Sequence, residues 1–337
     1  MLKNDSNRIN MTVYLFDTCN LNCDFCYLNH TKLKTKQEIL LKINKYKEII
    51  NKTKENYIYL KFLGGELFAD FIPDDYFKLY EDIILDLNLL CKSLNKVVVF
   101  DITTNLIHIK TDRVINLLNN IKNKVSIEFD TSFDFTSRFK NLENLKIFEN
   151  NCYLYKKFIT VINTVMTSNL YRILVNKELY SKQEIKELEV FNKLYKDNFP
   201  IMMAEYNNGA EIMENNPLMF NSEEQFINFH KFLVDNYPEI LKETFDNREK
   251  PSCYNRVTIL NNKELHDCSF CSFGKLYGHD SLKNYVIKYG CLTCSYYNKC
   301  SLYCNYFAET FNQQDKCWKK EIFKYIEDKN GTFNKNN

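Results

Sequence analysis

From residue 11 onward, short apolar runs alternate with stretches in which apolar residues recur every three or four positions. MTVYLFD (11–17), YIYLKFL (57–63), VVVFDIT (97–103), VSIEFD (125–130), FITVINTVM (158–166) and PIMMAEY (200–206) are rich in β-branched and aromatic residues and read as strands. Between them, 36–50, 76–92, 111–121, 139–152 and 182–196 read as helices. In the first of these, Ile39, Ile43, Tyr46 and Ile50 share one helical face. Strands of continuous apolar character separated by helices predict a parallel sheet with helices outside it. Six such units predict an α/β fold, a partial (β/α)6 TIM-like barrel, with functional loops after the C-terminal ends of the strands.

The pattern changes after about residue 207. Residues 207–217 are a polar loop and 222–236 a helix, and from Pro251 the chain becomes cysteine-dense and weakly periodic. The expected division is a core barrel over 1–206, a linker and helix over 207–250, a small cysteine-rich domain over 251–320, and a C-terminal helix and polar tail over 321–337. No tandem repeat is visible.

Composition narrows the function. The 337 residues are 45% hydrophobic and 15% aromatic, enough for a sizeable core. The net charge of +2 gives no reason to expect a nucleic-acid partner. The lysine-rich segment 32–54 is interleaved with acids and reads as a solvated helix face. No stretch is long and apolar enough for a membrane span, and MLKNDSNRIN lacks the core of a signal peptide. The expectation is a cytoplasmic protein whose 13 cysteines are thiols or metal ligands. Five histidines and no HExxH argue against a histidine-built metal site.

CNLNCDFCY (19–27) places Cys19, Cys23 and Cys26 in the loop after the first strand, where a barrel carries its chemistry. Three thiolates hold three irons of a 4Fe-4S cube and leave the fourth iron for an external ligand. A zinc site completed by a distant cysteine, or a set of buried thiols, is the competing reading.

The C-x3-C-x2-C spacing, with aromatic Phe25 before its last cysteine, resembles the signature of radical S-adenosylmethionine (SAM) enzymes. The resemblance implies that SAM binds the open iron and is cleaved reductively to a 5′-deoxyadenosyl radical, with an external reductant such as flavodoxin or ferredoxin. Gly64-Gly65-Glu66, after the second strand, is similar to the family's GGE motif, which contacts the SAM amino group; Leu67 replaces the usual proline. The glycines leave bare backbone for the close approach of a ligand. Thr103-Thr104-Asn105 is similar to the family's TNG turn, with Leu106 in place of glycine. Ser126 and Asp130 resemble its S-x-D segment near the SAM ribose. Arg138 stands where the family often places a guanidinium for the SAM carboxylate, and Asn163 at a polar position facing the nucleoside. A strand-end cap or a surface polar residue is the ordinary alternative for Thr104, Asn105, Ser126, Asp130, Arg138 and Asn163.

CLTCSYYNKCSLYC gives Cys291, Cys294, Cys300 and Cys304, with Cys317 beyond. The pattern resembles the auxiliary-cluster region called the SPASM domain. By that resemblance Cys291, Cys294, Cys300 and Cys317 hold one auxiliary 4Fe-4S cluster. Cys253, Cys268 and Cys304 hold a second, with Cys271 as its fourth ligand. Lys263 stands where the family has a glycine. Two structural zinc sites are the alternative. Cys91 and Cys152 remain, both in predicted helices, as small core hydrophobes.

Enzymes with this region mostly modify peptides or proteins, so a peptide or protein substrate is the leading expectation. The chain reaches its first strand by residue 11, so no leader-binding domain is expected ahead of it. Recognition is then expected from the barrel and cysteine-rich surfaces or from a separate protein. Ser269 follows Cys268, where formylglycine-forming sulfatase maturases have an aspartate, which counts against that reaction. Met203, Glu205 and Tyr206 are candidates for SAM or substrate contact, with core packing the competing role of Met203. The aromatic run Tyr296, Tyr297, Tyr303, Tyr306, Phe307 and Phe311 is expected to pack around the clusters. Two other readings stay open: a radical SAM dehydrogenase or epimerase of a small molecule, and a zinc- or cluster-stabilised binding protein without SAM chemistry. No catalytic acid or base stands out.

Overall fold

The computed structural model describes residues 7–24, 26, 32–205, 222–245, 256–260, 263–266, 287–296 and 317–333. Strands β1 (Arg8–Tyr14), β2 (Tyr57–Leu63), β3 (Val97–Thr103), β4 (Ser126–Ser132), β5 (Ile159–Met166) and β6 (Ile201–Glu205) lie in sequence order across one sheet. Parallel ladders join β1 through β5. Helices α1 (Lys36–Lys52), α2 (Asp74–Ser93), α3 (Thr111–Ile121), α4 (Leu142–Leu154), the short α5 (Ser168–Tyr171) and α6 (Lys182–Lys196) form the connections. This is the expected α/β architecture, a partial TIM-like barrel, and it gathers the loops that follow the strands at one end of the sheet.

The strands alternate rather than being apolar throughout. Ile58, Leu60 and Phe62 on β2, and Val98, Phe100 and Ile102 on β3, are buried on one face. That face meets the helices: Phe62 and Ile102 line a small apolar cavity with Tyr80, Ile83 and Ile84 of α2. The other face carries Tyr59, Lys61, Asp101, Glu128, Asp130 and Asn163 at alternate positions. The continuous apolar runs expected from the sequence therefore hide a polar inner row.

Helix α1 shows how local chemistry sets an element. Thr35 and Glu38 form a capping box, with the Glu38 amide donating to Thr35 Oγ1 at 3.3 Å and the Thr35 amide to Glu38 Oε2 at 2.8 Å. The face of Ile39, Ile43, Tyr46 and Ile50 is buried as its spacing predicts. Lys42 Nζ and Tyr46 OH donate to the carbonyls of Tyr14 and Thr12, fixing α1 to the end of β1.

One addition was not anticipated. β7 (Arg256–Leu260) pairs parallel with β1, Asn10 opposite Arg256, and β8 (Lys263–His266) returns antiparallel to β7. Residues grouped by composition with the cysteine-rich region thus extend the sheet to eight strands.

The chain divides into two compact units: residues 1–163, 189–200 and 253–269, and residues 164–188, 201–252 and 270–337. The second holds α7 (Glu223–Asn236), α8 (Pro238–Phe245) and α9 (Trp318–Phe333). There Trp318 stacks edge-on to Phe226 at 4.6 Å, and Tyr325 OH donates to Asp235 at 2.7 Å. Among the described residues no helix is long and apolar enough to cross a membrane.

Truncating the buried stripe of α1 should be costly and truncating its outer face harmless. Ile43→Ala should lose about 2–5 kcal/mol in urea unfolding. Leu41→Ala, 59% exposed, should stay within about 0.5 kcal/mol of the parent.

Candidate functional site

After β1 the chain stays beside the end of β2. The Leu15 amide donates to the Leu63 carbonyl at 3.3 Å, Gly65 to Phe16 at 2.7 Å and Glu66 to Thr18 at 2.9 Å. The contact is too close for side chains. A Cβ on Gly64 would lie 2.3 Å from the Phe16 oxygen, and one on Gly65 1.7 Å from the Thr18 oxygen. Gly64 also has φ +149°, which L-residues avoid. The bare backbone at Gly64-Gly65 is filled by the chain's own backbone, one residue before Cys19.

Glu66, expected to receive an ammonium, is buried and already engaged. Its Oε1 accepts from the Phe68 amide at 3.0 Å and from Thr104 Oγ1 at 2.8 Å, and its Oε2 from the Asn105 amide. Burial raises its pKa, and these three donors oppose the rise. Glu66 thereby ties the loop after β2 to the loop after β3.

That third loop reaches back to the cysteines. Asn105 Nδ2 donates to Asn20 Oδ1 at 2.7 Å and lies 3.8 Å from Cys19 Sγ, while Asn20 Nδ2 donates to the Ile107 carbonyl at 2.7 Å. Leu106, standing where the TNG turn has glycine, adopts φ +57°, a conformation that costs a leucine about 1–3 kcal/mol. Its side chain is buried, and Asn151 Nδ2 donates to its carbonyl at 2.9 Å.

The loop after β4 holds the other side. Ser137 Oγ accepts from the Asp24 amide at 2.9 Å, and Lys140 Nζ donates to the Asn22 carbonyl at 2.8 Å. Arg138 is buried and paired with Asp134 at 2.8 Å. Cys23 and Cys26 close a turn, the Cys26 amide donating to the Cys23 carbonyl at 2.9 Å. Burial pushes the Cys19 thiol up to about 11, with the Glu66 carboxylate adding to the rise. Cys23 is also raised by burial, against the lowering charge of Arg138. Thiols held in this way ionise when a cationic metal centre takes the place of the proton.

Deeper on the inner face, Lys61 Nζ bridges Asp130 and Asp101, 3.1 Å from the latter, and Asn163 Nδ2 donates to Asp130. Lys61 and Asp101 went unnoticed in the sequence because each interrupts an apolar run by one residue; the period-two polar positions were the available signal. Among the described residues, Asp101 Oδ1 and Thr103 Oγ1 are buried here without a partner. Ser126 does not join the group: it is exposed at the first position of β4, at the end opposite the cysteine loop. Thr104, Asn105 and Arg138 lie around the cysteines, while Asp130 and Asn163 lie in the deeper row.

Of the second cysteine block, Cys291 is buried on a 3-10 turn, Cys294 follows it and Cys317 precedes α9. Among the described residues no three His, Cys, Asp or Glu side chains converge on a single metal ion. Cys253, Cys268, Cys271, Cys300 and Cys304 lie outside the described residues, as do Phe25, Tyr27, Tyr206, Ser269, Tyr297, Tyr303, Tyr306, Phe307 and Phe311. Met203 is buried, as a core residue would be, and Tyr296 stacks on Phe323 at 4.8 Å. Cys91 and Cys152 are buried in α2 and α4.

The family model of a 4Fe-4S single cluster domain matches residues 8–148, the stretch that contains the triad and its three supporting loops. No curated protein matches the chain. Among solved structures, a histidine-tagged anSMEcpe with bound AdoMet aligns at a TM-score of 0.63 and 16% identity, over 96% of this chain and 97% of that one. Streptococcus suis SuiB aligns at a TM-score of 0.45 and 15% identity, over 90% of this chain and 74% of that one. The first alignment shows a shared fold. The cluster-domain match covers the stretch that carries the triad.

Two buried groups give measurable outcomes. Glu66→Gln puts an amide where three donors converge and should cost about 1–3 kcal/mol in chemical unfolding. His108, buried with its Nε2 3.1 Å from Tyr155 OH, has its pKa lowered by burial to about 4. An unfolded histidine titrates near about 6.5, so between these values the unfolded chain binds more protons. Stability should therefore fall as the pH drops from about 6.5 towards 4. His108→Gln should remove part of that slope in urea unfolding, with His230, also lowered to about 4, supplying the same sign.

Proposed function

We propose that the chain is a radical SAM enzyme whose Cys19, Cys23 and Cys26 hold a 4Fe-4S cluster, and that its substrate is a peptide or protein. The observation that carries this reading is the seating of the triad. Three thiols lie on the loop after β1, supported by the loops after β2, β3 and β4, and among the described residues the side chains beside Cys19 are the amides of Asn20 and Asn105. Three cysteines fit a cluster that keeps one iron open. When bound and reduced, that cluster supplies the electron that cleaves SAM.

The chain's own part is to orient and enclose. Gly64-Gly65 fixes where the cysteine loop begins, and Asn22, Asp24 and Asn105 fix its course. Arg138 places positive charge beside Cys23 and Cys19. On the inner face, Asp101 Oδ1 and Thr103 Oγ1, which have no partner among the described residues, suit a ligand that offers hydroxyl or ammonium donors. SAM or a polar substrate group offers both.

The peptide or protein substrate rests on the SPASM-like spacing of the second cysteine block, which also supports two auxiliary clusters. A flavodoxin- or ferredoxin-type donor and a reducing, cytoplasmic setting belong to the same reading.

Anaerobic reconstitution tests it. Three cubane clusters would give about 12 irons per chain, and the triad alone about four. Addition of dithionite and SAM should yield 5′-deoxyadenosine. Cys23→Ala should abolish that product while the protein stays folded. Zinc in place of iron, with no 5′-deoxyadenosine, would leave a metal-stabilised binding protein.

A further inference from the structure

The three thiols of the triad are not equivalent in what faces them. The Leu21 amide donates to Cys19 Sγ at 3.4 Å, and Asn105 Nδ2 stands 3.8 Å from the same sulfur. A carboxamide nitrogen has two hydrogens. They are shared between Asn20 Oδ1, at 2.7 Å, and Cys19 Sγ, and Asn20 Oδ1 itself lies 3.7 Å from that sulfur.

The Asn105 side chain has no freedom to turn away. Its Oδ1 accepts from the Ile107 amide at 2.8 Å, its own backbone amide donates to Glu66, and the residue is 6% exposed. Asn20 is locked in turn by its bond to the Ile107 carbonyl. The amide is thus held at both ends by protein groups and aimed at a sulfur.

We infer that Asn105 is a positioning residue that sets the reduction potential of the cluster, by donating an N–H to the sulfur of Cys19. The inference rests on the reading of the triad as a cluster site. It replaces direct contact with SAM as the role of this side chain. Reduction adds negative charge to a cluster and its thiolates, and an N–H aimed at a ligand sulfur stabilises that charge. The bond therefore raises the potential and makes the electron easier to load. Hydrogen bonds from outside the ligand set are among the levers by which a protein tunes such a centre.

The test compares the reconstituted wild-type protein with Asn105→Ala, Asn105→Asp and Ser137→Ala. The triad's signal is first assigned by its loss in Cys23→Ala. Electron paramagnetic resonance during a redox titration then gives each midpoint. Asn105→Asp keeps an acceptor for the Ile107 amide but loses the N–H, and Asn105→Ala loses both without adding charge. Both midpoints should move to more negative values. Ser137→Ala loosens the same loop at Asp24 but touches neither Asn105 nor Cys19, and its midpoint should stay at the wild-type value.

Wild-type protein labelled with a nitrogen isotope at asparagine should also show a nitrogen hyperfine coupling to the reduced triad cluster. This readout holds even if the Asn105 variants fail to load iron. An unchanged midpoint in loaded Asn105→Ala, an equal shift in Ser137→Ala, or no coupling in the wild type would overturn the inference. If the wild-type triad loads no iron, the cluster reading itself fails, and the inference falls with it.

Discussion

Everything at the candidate site depends on one backbone contact. Where β1 ends, Phe16 and Thr18 pass so close to Gly64 and Gly65 that any side chain at either glycine would overlap a carbonyl oxygen. Two hydrogen bonds hold the contact, from Gly65 to Phe16 and from Glu66 to Thr18. The cysteine loop therefore leaves the sheet from a fixed point and in a fixed direction. A cluster-binding loop needs such an origin, since a misplaced thiol leaves an iron without its ligand.

From that point the loops lock in series. Glu66 carries the contact to the β3 loop through Thr104 and Asn105, and Asn105 carries it to Asn20 and Cys19. The β4 loop meets the cysteines from its own side through Ser137 and Lys140. A buried carboxylate is costly unless donors surround it, and Glu66 meets that cost with three. The same holds deeper in the sheet, where Lys61 and Asn163 satisfy Asp130. Motifs that the sequence associates with a cofactor are thus also the joints that hold its site together.

The elements were legible where burial imposes a period. The stripe of α1 and the bounds of β2, β3 and α3 agree with expectation because their apolar positions alone determine which face is inside. The triad was legible because thiol spacing is specific. Less legible were features that depend on partners distant in sequence. The hairpin of β7 and β8 joins β1 from more than two hundred residues away, with no local signal of that pairing. The engagement of Glu66 by the β3 loop was equally hidden, since a glycine-glycine-glutamate turn reads the same with an ammonium or an amide at the carboxylate. Ser126 stands apart from the other candidates because it is the first residue of β4, which runs on to Ser132.

On the proposed reading, the triad leaves one coordination position for SAM. The decisive experiment uses SAM isotopically labelled at its amino nitrogen and carboxylate, added to the reduced triad cluster and examined by electron–nuclear double resonance. Hyperfine couplings from both labelled groups are expected, and both should be lost in Cys23→Ala. A loaded, reducible triad cluster with no coupling to either label would mean that SAM does not bind there.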